Sequence, residues 1–446
     1  MQKNNQYKMN RKELKLITKI WWPLAASWLM MAAEQPILTA TIARLPNPEI
    51  NLAAYGGIIF PIALIIEAPI IMLLAASVSL SKDIKSYRKM QKFMMISGFV
   101  LTIIHILIAV SPLFYVVTEQ IIGAPKEIIE PARMGLILLT PWTWAIAYRR
   151  FNQGVLIRYG HSDAVGVGTI IRVSTIVGVM LIGYFTHRFS GAVVAGFAQG
   201  MAVLLEAIYA GYRVKPIVNG QLTKEPETEE LTWRAFFNYY IPLAMTSFIT
   251  MLWLPISSMA LSRLPNPLPS LAIWPVINGT IFLFRSTGIA YNEVVVALLE
   301  KKGMSIHLRQ FAGILIGAMT LALGVIIFTP ASTFLFVNIN ALPGNYGELA
   351  ASAFALSLII PCLATLQSWY QGAILFGKKT RGIPEANIFS IIAGVLIFVG
   401  GYFLKDMTGL YIGMAAYLVT NFVQTVWLWV RSRPIMAQVN LRDQIA

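Results

Sequence analysis

The sequence predicts an all-α membrane protein in which twelve transmembrane helices form two related lobes of six around a central cleft. Of the 446 residues, 57% are hydrophobic and only 12% are charged, whereas about a quarter of the residues in a soluble domain carry a charge. The apolar residues form runs of about twenty, the length that a helix needs to cross a bilayer. The two halves of the chain also repeat each other. This composition excludes an ordinary soluble enzyme.

Twelve apolar runs give the expected spans. They are Ile20–Ala43, Leu52–Leu80, Phe93–Pro112, Ala132–Tyr148, Ala164–Phe185, Gly191–Tyr212, Phe236–Leu261, Leu271–Leu298, Phe311–Phe334, Ala350–Phe376, Ile383–Phe403 and Leu410–Val430. Most Lys and Arg fall in both terminal tails and in alternate loops, such as Lys82–Lys92 and Arg149–Arg158. Cytoplasmic loops hold such an excess, so we expect both termini in the cytoplasm.

The net charge of +15 is therefore mainly a topology signal. Contact with anionic lipid is a further use for the basic loops, and we expect no nucleic-acid partner. The protein is predicted to be integral to a cytoplasmic (inner) or plasma membrane.

An internal repeat relates the two halves. The tract Arg44–Pro48 recurs as Arg263–Pro267, an offset of 219 residues, and the same offset carries Pro23 onto Pro242 and Pro36 onto Pro255. Two lobes are predicted, 1–213 and 233–446, joined by a cytoplasmic linker, 214–232, whose acidic residues are Glu225, Glu227, Glu229 and Glu230. An even number of spans per repeat makes the repeats parallel, as in some secondary transporters.

The paired prolines predict bent first and seventh spans. Each proline removes a backbone donor, and carbonyls freed inside a bilayer need protein or a water-lined cavity. A cleft between the lobes follows, although kinks used only for packing are the alternative.

Ionisable residues inside the spans are candidates for function, because a charge at a helix centre costs about 2.5–3.5 kcal/mol on insertion scales. The set is Glu34, Glu67, Glu206, Glu293, Arg133, Arg172, Arg285 and His105. Arg285 is the first candidate for binding a substrate anion and Arg172 the second, and the polar Asn278 joins them. We assign coupling or gating to Glu34, Glu67, Glu293 and His105. The alternatives are structural ion pairs, helix-to-helix hydrogen bonds and, for His105, a neutral packing role.

The repeat also predicts a specific pair. The offset places Glu67 opposite Ser286, the neighbour of Arg285. Glu67 and Arg285 are therefore expected at similar depths, where the acid neutralises the base until an anion competes for it.

Catalytic motifs are missing from the sequence. It contains no H-E-x-x-H and no G-x-S-x-G, and all four aspartates lie outside the predicted spans. The run GAILFGKK, 372–379, has Lys379 where a Walker A motif needs Ser or Thr, and it ends a membrane helix instead of following a strand. We therefore predict no enzyme activity, no metal site and no cofactor beyond a coupling proton or sodium ion.

Several short stretches resemble a known group of transporters. They are Trp22-Pro23-Leu24, Glu34-Gln35, Leu52–Gly56, His105–Ala109, Pro242-Leu243-Ala244 and Ser262-Arg263. With the two six-span lobes, they resemble the multidrug/oligosaccharidyl-lipid/polysaccharide (MOP) exporter superfamily, which includes MATE exporters, and most of all its progressive ankylosis branch. Glu34-Gln35 of that pattern is kept, which adds Gln35 to the substrate-binding candidates, while Ala33 replaces a glycine.

The resemblance implies a secondary transporter that works by alternating access and exports a small anion of the citrate, nucleotide or pyrophosphate type. The membrane arginines favour an anion independently. A MATE-like drug or cation exporter coupled to protons or sodium, a lipid-linked precursor flippase and a non-transport scaffold are the alternatives. We expect a monomer whose partners are the anionic solute and membrane lipids.

Overall fold

The computed structural model describes residues 11–226 and 231–444, and this part of the chain is helical without a β-strand. The α-helices, in chain order, are α1 Arg11–Ala32, α2 Glu34–Ile42, α3 Pro48–Ala54, α4 Phe60–Glu67, α5 Leu73–Leu80, α6 Ile84–Val110, α7 Leu113–Tyr115, α8 Lys126–Leu138, α9 Pro141–Arg158, α10 Ser162–Thr186, α11 Gly191–Pro216, α12 Trp233–Met251, α13 Trp253–Arg263, α14 Pro267–Leu298, α15 Met304–Ile327, α16 Ala331–Thr333, α17 Gly344–Phe354, α18 Ile360–Phe376, α19 Gly382–Tyr402 and α20 Gly409–Gln444. Short π-helical segments lie at Tyr55–Ile59, Val116–Ile122, Ile217–Leu222 and Phe334–Ile339.

The protein is an integral membrane protein. Within the described residues, ten continuous helical stretches are long and apolar enough to cross a bilayer. Ten of the predicted spans, the first to third and the fifth to eleventh, each share more than half of their residues with one of these stretches. The predicted twelfth span, Leu410–Val430, lies inside α20, which continues well beyond it.

Two predicted spans had wrong boundaries. The fourth span, Ala132–Tyr148, is interrupted before Pro141, and the stretch 149–158, predicted as a loop, is the second half of helix α9. The second span, Leu52–Leu80, breaks after Glu67, because Pro69 cannot continue the helical hydrogen bonding. The helix of the sixth span continues to Leu222, and the linker 214–232 stays a prediction. Glu227, Glu229 and Glu230 lie outside the described residues.

Both predicted proline bends are present. In the first span, α1 ends at Ala32 and α2 begins at Glu34, shortly before Pro36. In the seventh, α12 ends at Met251 and α13 begins at Trp253, shortly before Pro255. Each break precedes its proline by a few residues because the proline has no N–H to bond back to the preceding turn.

The internal repeat extends to backbone details that its sequence alone does not show. Asn47 and Asn266, which occupy the same place in the two Arg-Leu-Pro-Asn-Pro tracts, both have positive φ, of 52° and 56°. An offset of 218 residues relates Gly123, φ 75°, to Ala341, φ 53°. Gly123 follows the π-helical segment Val116–Ile122, and Ala341 follows the segment Phe334–Ile339, whose first residue lies at the same offset of 218. The tracts therefore form matched left-handed turns.

The chain forms two compact units, one of Met1–Pro36 with Val276–Ala446 and one of Ile37–Pro275. In the first unit, Trp21 of α1 donates to Thr287 O of α14 at 3.0 Å. In the second, Tyr240 of α12 donates to Pro69 O at 2.7 Å. The first part of span one thus packs with helices of the second half, and α12 packs with helices of the first. The division into lobes 1–213 and 233–446 stays a prediction.

Candidate functional site

A group of charged side chains is buried among helices of the 37–275 unit. Helix α9 contributes Arg149 and Arg150, α10 contributes Arg172, and α11 contributes Glu206. Glu67, at the end of α4, lies within electrostatic range of all three arginines. We call these five residues the charge cluster. Since a helix rises about 1.5 Å per residue, Arg172 lies about 15 Å along α10 from its first residue, near the middle of that helix.

Glu206 is the centre of the cluster. Its side chain is fully buried, and one carboxylate oxygen accepts a hydrogen bond from Arg149 Nη1 at 2.9 Å. The other oxygen accepts from Gln153 Nε2 at 2.9 Å, and Arg172 Nη1 lies 3.5 Å from the oxygen that Arg149 contacts. Gly168 leaves room for this carboxylate, because a Cβ there would lie 3.2 Å from Glu206 Cγ. The small Gly168 therefore leaves space for the Glu206 carboxylate between the guanidinium groups of Arg149 and Arg172.

The other members of the cluster retain unused hydrogen-bonding capacity. In the described part of the chain, Glu67 Oε2, Arg149 Nε and Arg150 Nε are buried without a hydrogen-bond partner. Three guanidinium groups face two carboxylates, so the cluster carries a net charge of +1 when all five are ionised. Buried charges are stable only when paired and hydrogen-bonded. An anion that accepted hydrogen bonds from the free donors would complete the pairing.

A second candidate region lies in the other compact unit, around Arg285 of α14. Arg285 donates through Nη1 to the hydroxyl of Tyr417, and its guanidinium carbon lies 5.6 Å from the centre of the Tyr417 ring. Its Nε is buried without a partner among the described residues. Arg285 thus has one N–H donor without an acceptor, and its guanidinium group lies over an aromatic ring, whose face attracts cations.

Two predicted substrate-binding residues lie close together in this same unit. A Cβ at Gly279 would lie 3.2 Å from Gln35 Cβ and 3.3 Å from Pro36. The bend of the first span therefore packs against α14 beside Asn278. Glu34, which begins α2, is 7% exposed. Glu34, Gln35 and Asn278 each take part in a polar or electrostatic contact.

Other predicted site residues have different surroundings. His105 is fully buried, with Nδ1 2.7 Å from Thr143 Oγ1 and Nε2 2.9 Å from Leu136 O. Both ring nitrogens therefore have partners, as a neutral packing histidine requires. Glu293 is exposed on the surface of α14. The predicted pairing of Glu67 with Arg285 joins two different units and stays a prediction.

Sequence reasoning missed Arg149 and Arg150, the residues that bring the charge cluster together. Both were assigned to a cytoplasmic loop because they follow the fourth apolar run. A usable signal was present: Arg149 and Gln153 are four residues apart, so a helix that continued past Tyr148 would place both on one face. Arg133, in contrast, donates to the hydroxyl of Tyr115, which donates to Glu130.

Within the described residues, no group of three or more His, Cys, Asp or Glu is placed to hold a metal ion. The donors of the charge cluster are mostly guanidinium groups, which repel cations and bind carboxylates or phosphates. The arrangement suits an anion.

The chain shares its fold with MATE transporters. An inward-facing multidrug resistance MATE family transporter of the MOP superfamily has a TM-score of 0.71 at 15% identity, covering 93% of this chain and 98% of the other. An outward-facing transporter of the same description has a TM-score of 0.62 at 16% identity, covering 96% of each. A MOP superfamily transporter from Pyrococcus furiosus, described as having a binding pocket of reverse polarity, has a TM-score of 0.63 at 16% identity, covering 97% and 99%.

No family model matches the sequence, and no curated protein matches it. At these identities the structural likeness shows the fold.

Proposed function

We propose that this protein is a secondary active transporter that exports a small anionic metabolite of the citrate, nucleotide or pyrophosphate type by alternating access. Proteins of the same fold are described in inward-facing and outward-facing states, which supports alternating access here. The progressive ankylosis branch remains the part of the MOP superfamily that the sequence most resembles. We propose a monomer without a bound cofactor, driven by a proton or sodium gradient or by the gradient of the substrate.

The single observation that carries the proposal is the charge cluster, in which three arginines, two of them buried and one half-buried, accompany two buried glutamates. A transporter of cationic drugs needs a surplus of carboxylate where its substrate binds, whereas this cluster has a surplus of guanidinium. Arg285, with its unpaired Nε, adds another cationic donor to the helices. Guanidinium groups present a planar fork of donors that matches carboxylate and phosphate oxygens.

The cluster also suggests how an anion is coupled to a second ion. Glu206 forms ion pairs with Arg149 and Arg172, so its negative charge is already paired. Glu67 has one oxygen without a hydrogen-bond partner and interacts with the arginines at longer range. An anion that engaged Arg150 would weaken the attraction that keeps Glu67 ionised. Glu67 would then take up a proton or sodium ion and bias the transporter toward its other access state.

A MATE-like exporter of drugs or cations is the second candidate function. The multidrug resistance description of the inward-facing relative favours it, and the buried glutamates Glu34 and Glu67 would supply the negative charge. In that case the arginines of the cluster serve as structural partners of Glu206.

Transport by purified protein in liposomes separates the two functions. We expect saturable efflux of labelled citrate, nucleotide or pyrophosphate, and none of ethidium. Efflux of ethidium without efflux of any of the anions would contradict the proposal and support the cation exporter. Empty liposomes and liposomes with the Glu206→Gln, Arg149→Gln variant serve as controls for leakage.

A further inference from the structure

A basic pocket lies between the α18–α19 turn and helix α20, in the unit that contains both. Its volume is about 560 Å³, and it is lined by Lys378, Lys379, Thr380, Arg381, Val430, Arg431 and Pro434. Four of these residues are cationic, and none is acidic. The two lysines end the run GAILFGKK, which has no part in the proposed transport path.

Glycines bring the turn close enough to α20 to form this pocket. A Cβ at Gly377 would lie 2.7 Å from Ile435, and a Cβ at Gly382 would lie 3.0 Å from Arg431 Cβ. Lys378 adopts a positive φ of 54°, which non-glycine residues rarely do. The tight turn thereby presents consecutive basic side chains to the same space.

The positive charge of the pocket is largely uncompensated. Arg431 pairs with Glu385 at 2.8 Å, and Glu385 also accepts from Trp427 Nε1 at 3.2 Å. Within the described residues, Lys378, Lys379 and Arg381 have no acidic partner. Three unpaired cations beside one ion pair attract an anion that carries several acceptor oxygens.

Exposed apolar side chains lead from the bilayer to this pocket. On α19 and α20 they recur every three or four residues: Phe389, Ile392, Leu396 and Val399, then Phe422, Val426, Trp429 and Val430. Such a stripe on a membrane helix faces lipid chains. Val430 belongs both to the stripe and to the pocket wall. The pocket therefore lies where the lipid-facing surface ends.

We propose that this pocket binds the phosphate group of an anionic phospholipid, with the acyl chains lying along the exposed stripe. Free phosphate would meet the same cations, but it would leave the adjoining apolar surface unused. Basic pockets at the cytoplasmic ends of transmembrane helices bind such headgroups, and the charge distribution predicts that this turn is cytoplasmic. The site is separate from the charge cluster and does not depend on the transported substrate.

Lipid binding to the delipidated full-length protein in detergent tests the proposal. We expect phosphatidylglycerol to raise the unfolding temperature, and phosphatidylcholine and inorganic phosphate to have little effect. Each basic residue near an anionic surface contributes about fivefold, so Lys378→Gln with Lys379→Gln should weaken the apparent Kd for phosphatidylglycerol about thirtyfold. High salt should weaken binding to the wild type.

The matched control removes the same two charges elsewhere in the same unit. Lys301 and Lys302 are exposed in the α14–α15 loop and do not line the pocket, so Lys301→Gln with Lys302→Gln should leave the Kd unchanged. Equal Kd values for the two double variants would overturn the proposal. Stabilisation by inorganic phosphate as large as that by phosphatidylglycerol would overturn the assignment to lipid. If Lys378→Gln destabilises the free protein, Arg381→Gln supplies the same comparison.

Discussion

The charge cluster and its counterpart in the second half of the chain share one scaffold but differ in chemistry. At an offset of 218 residues, neutral side chains replace the charged ones: Gln367 for Arg149, Ser390 for Arg172 and Gln424 for Glu206. Helices α18, α19 and α20 thus match α9, α10 and α11 in order. Gly154 of α9 and Gly372 of α18 occupy equivalent positions, and each is in close contact with the second span of its own half. Only one of the two halves buries ions at this place.

The neutral version satisfies its hydrogen bonds without any charge. Gln367 Nε2 donates to Asn421 O at 3.0 Å and to Thr425 Oγ1 at 3.2 Å. Gln424 Nε2 donates to Asn387 Oδ1 at 2.7 Å. An amide network is therefore sufficient to join these helices. The ions of the first half are not required by the scaffold, which supports a functional role for them.

The largest expected effect comes from making the first half resemble the second at one position only. Glu206→Gln leaves Arg149 and Arg172 buried without their carboxylate. Breaking one partner out of a buried ion pair typically costs about 3–5 kcal/mol, so we expect a large fall in the unfolding temperature of the purified protein. Gln424→Leu, at the equivalent position, should cost about 1 kcal/mol.

The double variant completes the comparison. Arg149→Gln with Glu206→Gln reproduces two of the three neutral residues, Gln367 and Gln424, and leaves only Arg172 without its carboxylate, so it should recover part of the stability that Glu206→Gln loses while anion efflux stays at background. Full efflux in a stable double variant would show that the cluster is structural, as the competing interpretation holds.

Arg285 reverses the comparison, because here the second half carries the charge and the first half has Ile66 at the offset of 219. Arg285→Lys keeps the charge but loses the planar fork, so we expect anion efflux to fall about tenfold. Arg285→Ala should abolish it. Tyr417→Phe keeps the ring beside the guanidinium and removes the hydroxyl, so its effect should be smaller. Wild-type rates for Arg285→Ala would contradict the assignment to substrate binding.

The fold followed from the sequence because its determinants are local and repeated. Runs of apolar residues long enough to span a bilayer and the paired prolines identified the helices and both bends, and the Arg-Leu-Pro-Asn-Pro tracts identified the repeat. The positions where a helix ends were harder to predict. Pro69 and Pro141 interrupt apolar runs that a window of twenty residues treats as continuous.

The candidate site was predicted less completely, because buried ions depend on contacts between distant segments. Glu67, Arg172 and Glu206 were recognised as costly residues within spans, but the partner of Glu206 is 57 residues away. Arg149 was assigned to a cytoplasmic loop because it follows the fourth apolar run. Periodicity describes which face of one helix is apolar, and it does not describe which two helices bring an acid and a base together.

The two tracts themselves offer a smaller test. Arg263 donates to the carbonyls of Gln120, Ile121 and Ile122 at the end of a π-helical segment, whereas Arg44 donates to Ala40 O in its own helix at 2.6 Å. Arg263→Ala should therefore lower the stability by about 1–2 kcal/mol, and Arg44→Ala tests the equivalent position in the first half. Both should retain transport. Loss of efflux with an unchanged unfolding temperature in both variants would contradict this structural role.

The smallest effect concerns how the third helix of each repeat begins. In the first half, Asp83 accepts from Ser86 N at 2.8 Å and caps α6 locally. The offset of 219 places Lys302 where Asp83 would be and Ser305 where Ser86 would be. The missing carboxylate comes from the far end of α20, since Ser305 Oγ donates to Asp443 Oδ2 at 2.6 Å. A local cap is thus replaced by one that ties the last helix to α15.

This long-range cap predicts a pH dependence that the Asp443→Asn variant lacks. Burial alone would raise the pKa of Asp443, but hydrogen bonds from Ser305 and the Gly303 backbone, together with Arg442, lower the pKa below its ordinary value. An acid whose pKa falls on folding stabilises the native state fully above its unfolded pKa, about 3.9, and this stabilisation is lost as the pH falls through the lower native value. The difference in unfolding temperature between wild type and Asp443→Asn should therefore stay constant from pH 8 to pH 5, corresponding to about 1 kcal/mol, and shrink below pH 4. A difference that stayed the same down to pH 2 would show that the carboxylate of Asp443 does not stabilise the start of α15 through its charge.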